Sequence, residues 1–419
     1  MGLLLVGTAS VNQQRTVGAS QWPTSHFQEN NNAVLPSANV GAIAYHRSFP
    51  VLLNSDTPIV NGRLFVVGGN ANPPGKSSAP GYVFALNAKT GHILWTQPTP
   101  NSIYAEPIIN DGHVLVGVGN ALFPKTQGIP SLEQGMVRGV GPSGVYAYHV
   151  NNGWPAFEFV TRGADQAPAT IYHGRAFIAS GSRDLYVLNA ASGRLLWWVN
   201  LGHYVSRSSP RIVDGLVVVG GAGPLGVVAV SLGTHHIVWQ HPVVDAIGGV
   251  DDTTLAVSGN LLVGAALLKP KPGAAHGFRA VVFALNALTG DEVWLHQVAV
   301  GDVPAFKETG TPLVVQHTVY VGNALNGNVR ALSLRTGRVL WTVNAGSPVT
   351  RPPAFSQGRV LFVSQHGVLE GVSTTGKVLF RKSLGSYVNT YGPVVLGNIA
   401  FVTANTPTHG VLIAQPLPS

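Results

Sequence analysis

One short unit recurs seven times along this chain of 419 residues: two apolar runs joined by a turn at Thr-Gly, Ser-Gly or Asn-Gly, with an aromatic residue closing the second run. The clearest copies occupy residues 83–95, 185–197 and 282–294. Others close at Trp239, Trp341 and Phe380, and a degenerate copy surrounds Asn152-Gly153-Trp154. Each reads as a β-hairpin, because alternating apolar residues suit a pleated strand and the glycine supplies the positive φ of a tight turn. A hairpin of this size cannot bury its own apolar face. Strand repeats of about 40 residues therefore have to stack on copies of themselves, as in a propeller.

A second element alternates with the first: proline, a few residues, glycine, then an apolar run. Pro58 leads to Leu64-Phe65-Val66-Val67 and Pro107 to Val114-Leu115-Val116, while Pro168, Pro210, Pro312, Pro352 and Pro393 open further copies. One more copy, Thr253-Thr254-Leu255 before Gly259, lacks the proline. Proline is tolerated at the first residue of a strand, where its missing N–H leaves no ladder bond unmade. Two hairpins per unit and eight units predict an all-β chain, an eight-bladed β-propeller of four-stranded antiparallel blades. The last unit begins at Pro393 and stops after Val411-Leu412-Ile413, one strand short. The missing strand is expected from the other end of the chain, either residues 21–24 or the apolar residues 40–45. N- and C-terminal strands then close the ring and remove its open edge. Residues 21–419 form a single domain on this reading. The preceding segment, 1–20, with Leu3-Leu4-Leu5-Val6 followed by small residues, reads as the remnant of a signal peptide.

Composition narrows the function. Only 10% of residues are charged, against roughly 25% in an average soluble protein. No apolar run approaches the roughly 20 residues of a membrane-spanning helix, so no integral membrane segment is expected. The 25 Lys and Arg outnumber the 17 Asp and Glu for a net charge of +8, and 15 histidines would carry this toward +23 in acid. Few carboxylates means few native salt bridges to lose as pH falls. That balance suits an exported protein working in acid, in the periplasm or outside the cell. Nucleic acid is not an expected partner, since basic residues cluster only at Arg381-Lys382 and Lys269-Pro270-Lys271. A small anion is. The absence of cysteine excludes disulfides, thiolate metal sites and a cysteine nucleophile. His235-His236 and His241 lack the spacing of a zinc site and read as turn or surface residues, so no metal is expected.

Geometry points to the site. In a propeller the innermost strand of each blade begins at one mouth of the central channel, so the residues before the recurring prolines converge there. In order these are Asp56, Glu106, Gln166, Arg207-Ser208-Ser209, Asp251-Asp252, residues 308–311, Arg351 and Tyr391. Polar residues gathered at one opening of an otherwise apolar chain are the signature of a ligand site. The fifth unit replaces proline with Gly248-Gly249-Val250-Asp251-Asp252. Read as chemistry, repulsion and burial raise the proton affinity of one of these carboxyls and suit it to acid–base work. Read as structure, the same aspartates cap backbone N–H groups in an Asx-type turn. Arg207 and Arg351 likewise read as clamps for a sulfonate or carboxylate, or as structural partners of Asp56 or Glu106. Glu106 and Tyr391 complete the candidate binding set. The regularly spaced tryptophans read as packing between blades.

The phrase apolar-x-Ala-Leu-Asn-Ala-x-Thr-Gly-x-apolar-x-Trp, with Trp22-Pro23 near the start, resembles the pyrroloquinoline-quinone (PQQ) repeat propellers over almost the whole chain. That superfamily includes quinoprotein dehydrogenases, the outer-membrane assembly lipoprotein and the tetrathionate hydrolases of acidophiles. The dehydrogenases carry a vicinal cysteine pair and a calcium-binding Glu/Asn/Asp set with no counterpart placed here. PQQ is therefore the less favoured cofactor, and none is expected. The lipoprotein has a lipobox cysteine that this sequence does not contain. The chain is most similar to the tetrathionate hydrolases, which are acid-active, metal-independent and use an aspartate in the propeller. The resemblance implies an exported hydrolase giving thiosulfate, sulfate and sulfur. Its acid–base residue would be Asp251 or Asp252, with Asp245 as a third candidate, and Arg207 or Arg351 would hold the dianion. The alternatives are a non-enzymatic scaffold resembling the assembly lipoprotein and a PQQ-binding, dehydrogenase-like protein. A homodimer is a further expectation.

Overall fold

The computed structural model describes residues 34–35, 43–69, 78–123, 137–274, 277–302 and 309–418, and within them every regular element is a strand. Eight sheets, each an antiparallel four-stranded blade at heart, succeed one another as an eight-bladed β-propeller. Blades 1 to 7 occupy residues 59–99, 108–160, 170–200, 211–242, 246–301, 313–344 and 354–383. Blade 8 joins residues 394–416 to the strand Tyr45–Phe49.

That closing strand pairs Tyr45 with Ala414 and Phe49 with Gly410, antiparallel to Gly410–Pro416. It begins where the expected segment, 40–45, ends. Its central residues His46, Arg47 and Ser48 are exposed, so apolarity alone is a poor guide to an outermost strand. Residues 1–20, residues 21–24 and Glu308 lie outside the described residues. A segment that the repeats do not announce, Val34–Leu35, runs parallel to Ala354–Ser356 and adds a fifth strand to the inner, channel-facing edge of blade 7.

The burial pattern explains the sequence pattern. Middle strands are covered on both faces by neighbouring blades and so read as continuous apolar runs. Leu216–Gly221 is buried throughout, whereas the outermost strand Ile93–Thr99 alternates. Prolines stand immediately before first strands at Ile59, Ile108, Arg211, Leu313 and Val394.

The closing aromatics lock blade to blade, as expected. Trp294 of blade 5 covers Gly337, the turn glycine of blade 6, where φ is +67° and an added Cβ would come within 2.5 Å of the ring. Its Nε1 donates to Leu334 O at 2.9 Å. Trp95, Trp239 and Trp341 donate in the same way to Val150, Ala287 and Thr374 at 3.0, 3.1 and 2.9 Å. Tyr45 takes this place for blade 8, its hydroxyl donating to Ala88 O of blade 1 at 3.1 Å. The closing strand therefore carries the aromatic that joins blade 8 to blade 1. In blade 2 the part falls to Phe157, which covers Gly193, while Trp154 stands 69% exposed.

Candidate functional site at the channel mouth

Each first strand is reached by a connection from the outermost strand of the preceding blade. Antiparallel order puts these connections on the same face as the turns between second and third strands. First strands of blades 4 and 5, 5 and 6, and 7 and 8 touch beside the channel, so side chains on the connections meet at its mouth. Several contacts there join blades that are not neighbours, which only the small radius near the axis allows.

The connection into blade 5 makes a tight turn in which Gly249 O accepts the N–H groups of Asp252 and Thr253 at 3.1 and 2.8 Å. Gly249 has a φ of +99°, and an added Cβ would lie 2.8 Å from Thr309 Oγ1, so the turn requires glycine. The Asp251 carboxyl reaches side chains of blades 4 and 2. Its Oδ2 accepts the Ser206 hydroxyl at 2.7 Å and lies 3.8 Å from Arg138 Nη1, which also donates to Ser206 Oγ. Burial raises the proton affinity of Asp251, against the lowering effects of Ser206 and Arg138. The backbone of Asp251 is engaged as well, its carbonyl accepting the N–H groups of Arg207 and Ser208 at 2.8 and 2.9 Å. Asp252 is half-buried beside it, whereas Asp245 is exposed at the corner between blades 4 and 5.

Arg207 places its guanidinium carbon 5.8 Å from the ring centroid of Tyr104, on the connection into blade 2. Glu106, from that same connection, is buried and faces Arg211, the first strand residue of blade 4. Burial pulls the Arg211 pKa down to about 9, and Glu106 acts to raise it.

Across the mouth, Asp56 leads into blade 1, faces Arg351 before blade 7 and accepts the N–H of Gly392 before blade 8. Burial pushes its pKa up to about 7 against both. The Arg351 guanidinium carbon is 4.6 Å from the ring centroid of the buried Tyr391. On the connection into blade 3, Asp165 is wholly buried, accepts Thr161 Oγ1 at 2.6 Å, and is likewise raised by burial to about 7. Asp56 Oδ1, Thr57 Oγ1, Asp165 Oδ1, Gln166 Nε2 and Thr309 Oγ1 are buried without a protein partner. Such atoms call for water or a polar ligand.

Asp251, Arg207 and Glu106 thus share one side of the mouth, and Arg351 and Tyr391 the other. Arg351 is near enough to Asp56 for its charge to favour the carboxylate, and Glu106 does the same for the cation of Arg211. Arg138, Ser206, Arg211 and Asp165 were not anticipated. Arg138 arrives on the turn between the second and third strands of blade 2. That turn crosses blade 3, where Arg138 N donates to Gly181 O at 2.9 Å. It also sets Phe123 edge-on to Tyr204 of blade 4 at 5.4 Å. Length was its one sign in the sequence: 25 residues separate Val118 from Gly144, against four between Ala179 and Asp184.

Residues 10–127, 143–326 and 325–414 match the family described as outer membrane protein assembly factor BamB. The chain belongs to this family of PQQ-repeat propellers. It is 26% identical over 337 residues to the tetrathionate hydrolase of Acidithiobacillus ferrooxidans, spanning 77% of this chain and 67% of that protein. It is 27% identical over 376 residues to the tetrathionate hydrolase of Acidianus ambivalens, spanning 82% and 68%. BamB from Moraxella catarrhalis superposes with a TM-score of 0.59 at 16% identity, over 89% of this chain and 100% of that one, a likeness of fold alone. Among the described residues no three His, Cys, Asp or Glu side chains converge as metal ligands. No helix of the described residues is long and apolar enough to cross a membrane.

Proposed function

We propose that this PQQ-repeat propeller hydrolyses tetrathionate in an acidic periplasmic or extracellular setting, with Asp251 as its acid–base residue. Two relatives named for that activity support the reading. One local observation carries it: a buried carboxyl at the channel mouth, held by a hydroxyl and a guanidinium. Tetrathionate is a dianion with a sulfonate at each end, and a guanidinium matches two sulfonate oxygens. Arg207 beside Tyr104 and Arg351 beside Tyr391 are the clamps. Glu106 contributes by fixing Arg211 in the same wall.

One tetrathionate and one water give one thiosulfate, one sulfate, one atom of elemental sulfur and two protons. As a carboxylate Asp251 takes a proton from the attacking water, and as an acid it returns one to the departing sulfur fragment. Burial favours its protonated form, which suits the second role in acid. Ser206 and Arg138 hold the group in place through the exchange. Asp252 is the second candidate for the same role.

The test is incubation with tetrathionate near pH 3 and an assay for thiosulfate. Asp251→Asn is expected to lose at least about 100-fold in kcat, and Asp252→Asn less. Full activity in both variants removes the assignment. A second reading, a non-enzymatic scaffold that docks another protein on its rim or outer strands, rests on the assembly-factor description of the family. It predicts no thiosulfate at any pH. A quinone-binding protein would instead carry a chromophore when purified.

A further inference from the structure

Third and outermost strands pair through a bulge in blades 1 to 7. Two residues before that bulge, the third strand carries Phe84, Tyr146, Tyr186 and Phe283 in blades 1, 2, 3 and 5. Val228 and Arg330 stand there in blades 4 and 6. Such a ring fills the seam to the preceding blade: Phe84 lies 5.0 Å from Phe49 of blade 8, and Tyr186 lies 5.3 Å from Phe159 of blade 2. Blade 7 has Glu370 at this position. Here a cleft of about 530 Å³ lies between the third strand and the outermost strand of blade 6. Its apolar walls are Val343 and Ala345 on one side and Val368 and Val378 on the other.

Glu370 and Arg381 supply the polar part of the wall. Arg381 Nε donates to Glu370 Oε2 at 2.8 Å, and its Nη2 donates across the seam to Asn344 O at 2.6 Å. One carboxylate oxygen is thus held by a bonded guanidinium. The other, Oε1, is buried without a protein partner. An acceptor taken from water with no donor in reach is costly, so the wall has one unmet need, for a hydrogen-bond donor. We infer that the cleft between blades 6 and 7 is a binding site for a small, uncharged aromatic molecule carrying a donor, a phenol or an indole. Its ring takes the space that Phe84 and Tyr186 fill in their own seams, and its O–H or N–H goes to Glu370.

Size, polarity and charge each restrict the ligand. The volume falls within the range of small-molecule sites, about 300–1,000 Å³, which are mostly apolar with a few placed polar groups. A ligand without a donor leaves Glu370 as it was and gains only apolar contact. Glu370 and Arg381 already balance each other, so a charged ligand would lose its hydration with no opposite charge to receive it. The Arg381 side chain is 53% exposed, and a guanidinium plane is a surface on which an aromatic ring stacks. The site belongs to the outer strands of the blades. No residue of the channel mouth lines it, so its ligand is separate from the substrate.

Ligand-detected NMR and calorimetry on the full chain test this, with indole as the probe and benzofuran as its isostere without the N–H. Indole is expected to bind with a Kd of about 0.1–1 mM. Benzofuran should bind at least about tenfold more weakly, because it leaves the Glu370 oxygen unmet. Glu370→Phe gives blade 7 the residue that blades 1 and 5 carry and should abolish indole binding. The fold should survive, since apolar replacement within a buried ion pair is often tolerated. Val378→Trp narrows the cleft from an exposed strand without touching the ion pair and should weaken indole at least about tenfold. Circular dichroism and urea unfolding check that each variant is folded, and Val378→Trp decides if Glu370→Phe is not. Equal binding of indole and benzofuran overturns the role of Glu370. Undiminished indole binding by either folded variant overturns the site, as does a wild type that binds no indole at millimolar concentration.

Discussion

The seams between blades and the mouth of the channel are built on opposite rules. At a seam one contact recurs: an aromatic residue four positions after the turn glycine, such as Trp294 after Gly290 or Trp341 after Gly337, lies on the turn of the next blade. At the mouth the side chains follow no such repeat. Asp56, Glu106, Asp165, Arg207, Asp251 and Arg351 have different neighbours, and several of these contacts skip a blade. A unit that packs on copies of itself constrains every copy equally. Where eight connections converge on an axis, each is free to differ, and a site for an asymmetric reaction needs that freedom.

The largest expected effect lies in the seam. Trp294→Ala removes a buried ring from Gly337 and the donor to Leu334 O, leaving a gap that the rigid turn cannot fill. A loss of about 3–5 kcal/mol is expected in urea unfolding. Trp154→Ala, at a position 69% exposed, should change stability by less than about 0.5 kcal/mol. Equal losses would show that docking of aromatic on glycine is not what joins the blades.

The mouth should reveal itself through pH. Asp56 and Asp165 are both raised by burial to about 7 in the folded chain. The native state therefore holds more protons than the unfolded chain between about pH 4 and pH 7, and stability falls as pH rises through that window, levelling above it. His113 works the other way, since burial and the charge of His149 lower its pKa and its share is lost as pH falls. Its imidazole is only half-buried, so the aspartates should dominate. Asp165→Asn should match wild type near pH 4 and exceed it near pH 8 by about 1–3 kcal/mol. A wild-type stability that climbs from pH 4 to 8 would mean that these carboxyls are ionised in the fold.

The same contrast decides what was legible in the sequence. Seam residues repeat at fixed spacing, so the number of blades, the place of each proline and the packing role of the tryptophans could be read directly. The closing strand was harder because His46, Arg47 and Ser48 face solvent and only Phe49 is buried. At the mouth, the connections named Asp251, Arg207, Glu106, Arg351 and Tyr391, since position before a first strand is a matter of topology. Which of Asp251 and Asp252 turns inward depends on the Gly249 turn, and no periodicity encodes that. Arg138 meets Ser206 across 68 residues of sequence, by way of an insertion found in one blade. Arg211 follows Pro210 as the first residue of a strand, a place where the repeat suggests apolar core.

The smallest effect is at a seam that departs from the rule. In blade 4 the turn position held by glycine in blades 1, 2, 3, 5, 6 and 7 is His235, with φ at +60°, and its ring stacks on Trp197 at 4.2 Å and 12°. Four tryptophans of the other seams donate Nε1 to a carbonyl of the next turn, whereas the Trp197 Nε1 is buried without a partner. Stacking of this kind is worth about 0.5–1.5 kcal/mol. Against it stand a left-handed backbone at a side-chain-bearing residue, about 1 kcal/mol, and a buried donor left unmade, about 1–3 kcal/mol. The balance favours glycine. His235→Gly should let Trp197 settle onto the turn as its counterparts do and stabilise the chain by about 0.5–1 kcal/mol, measured by urea unfolding. A loss of stability there would mean that the stacked ring is a better solution for this seam than the bond it displaces, and that the repeat tolerates two kinds of lock.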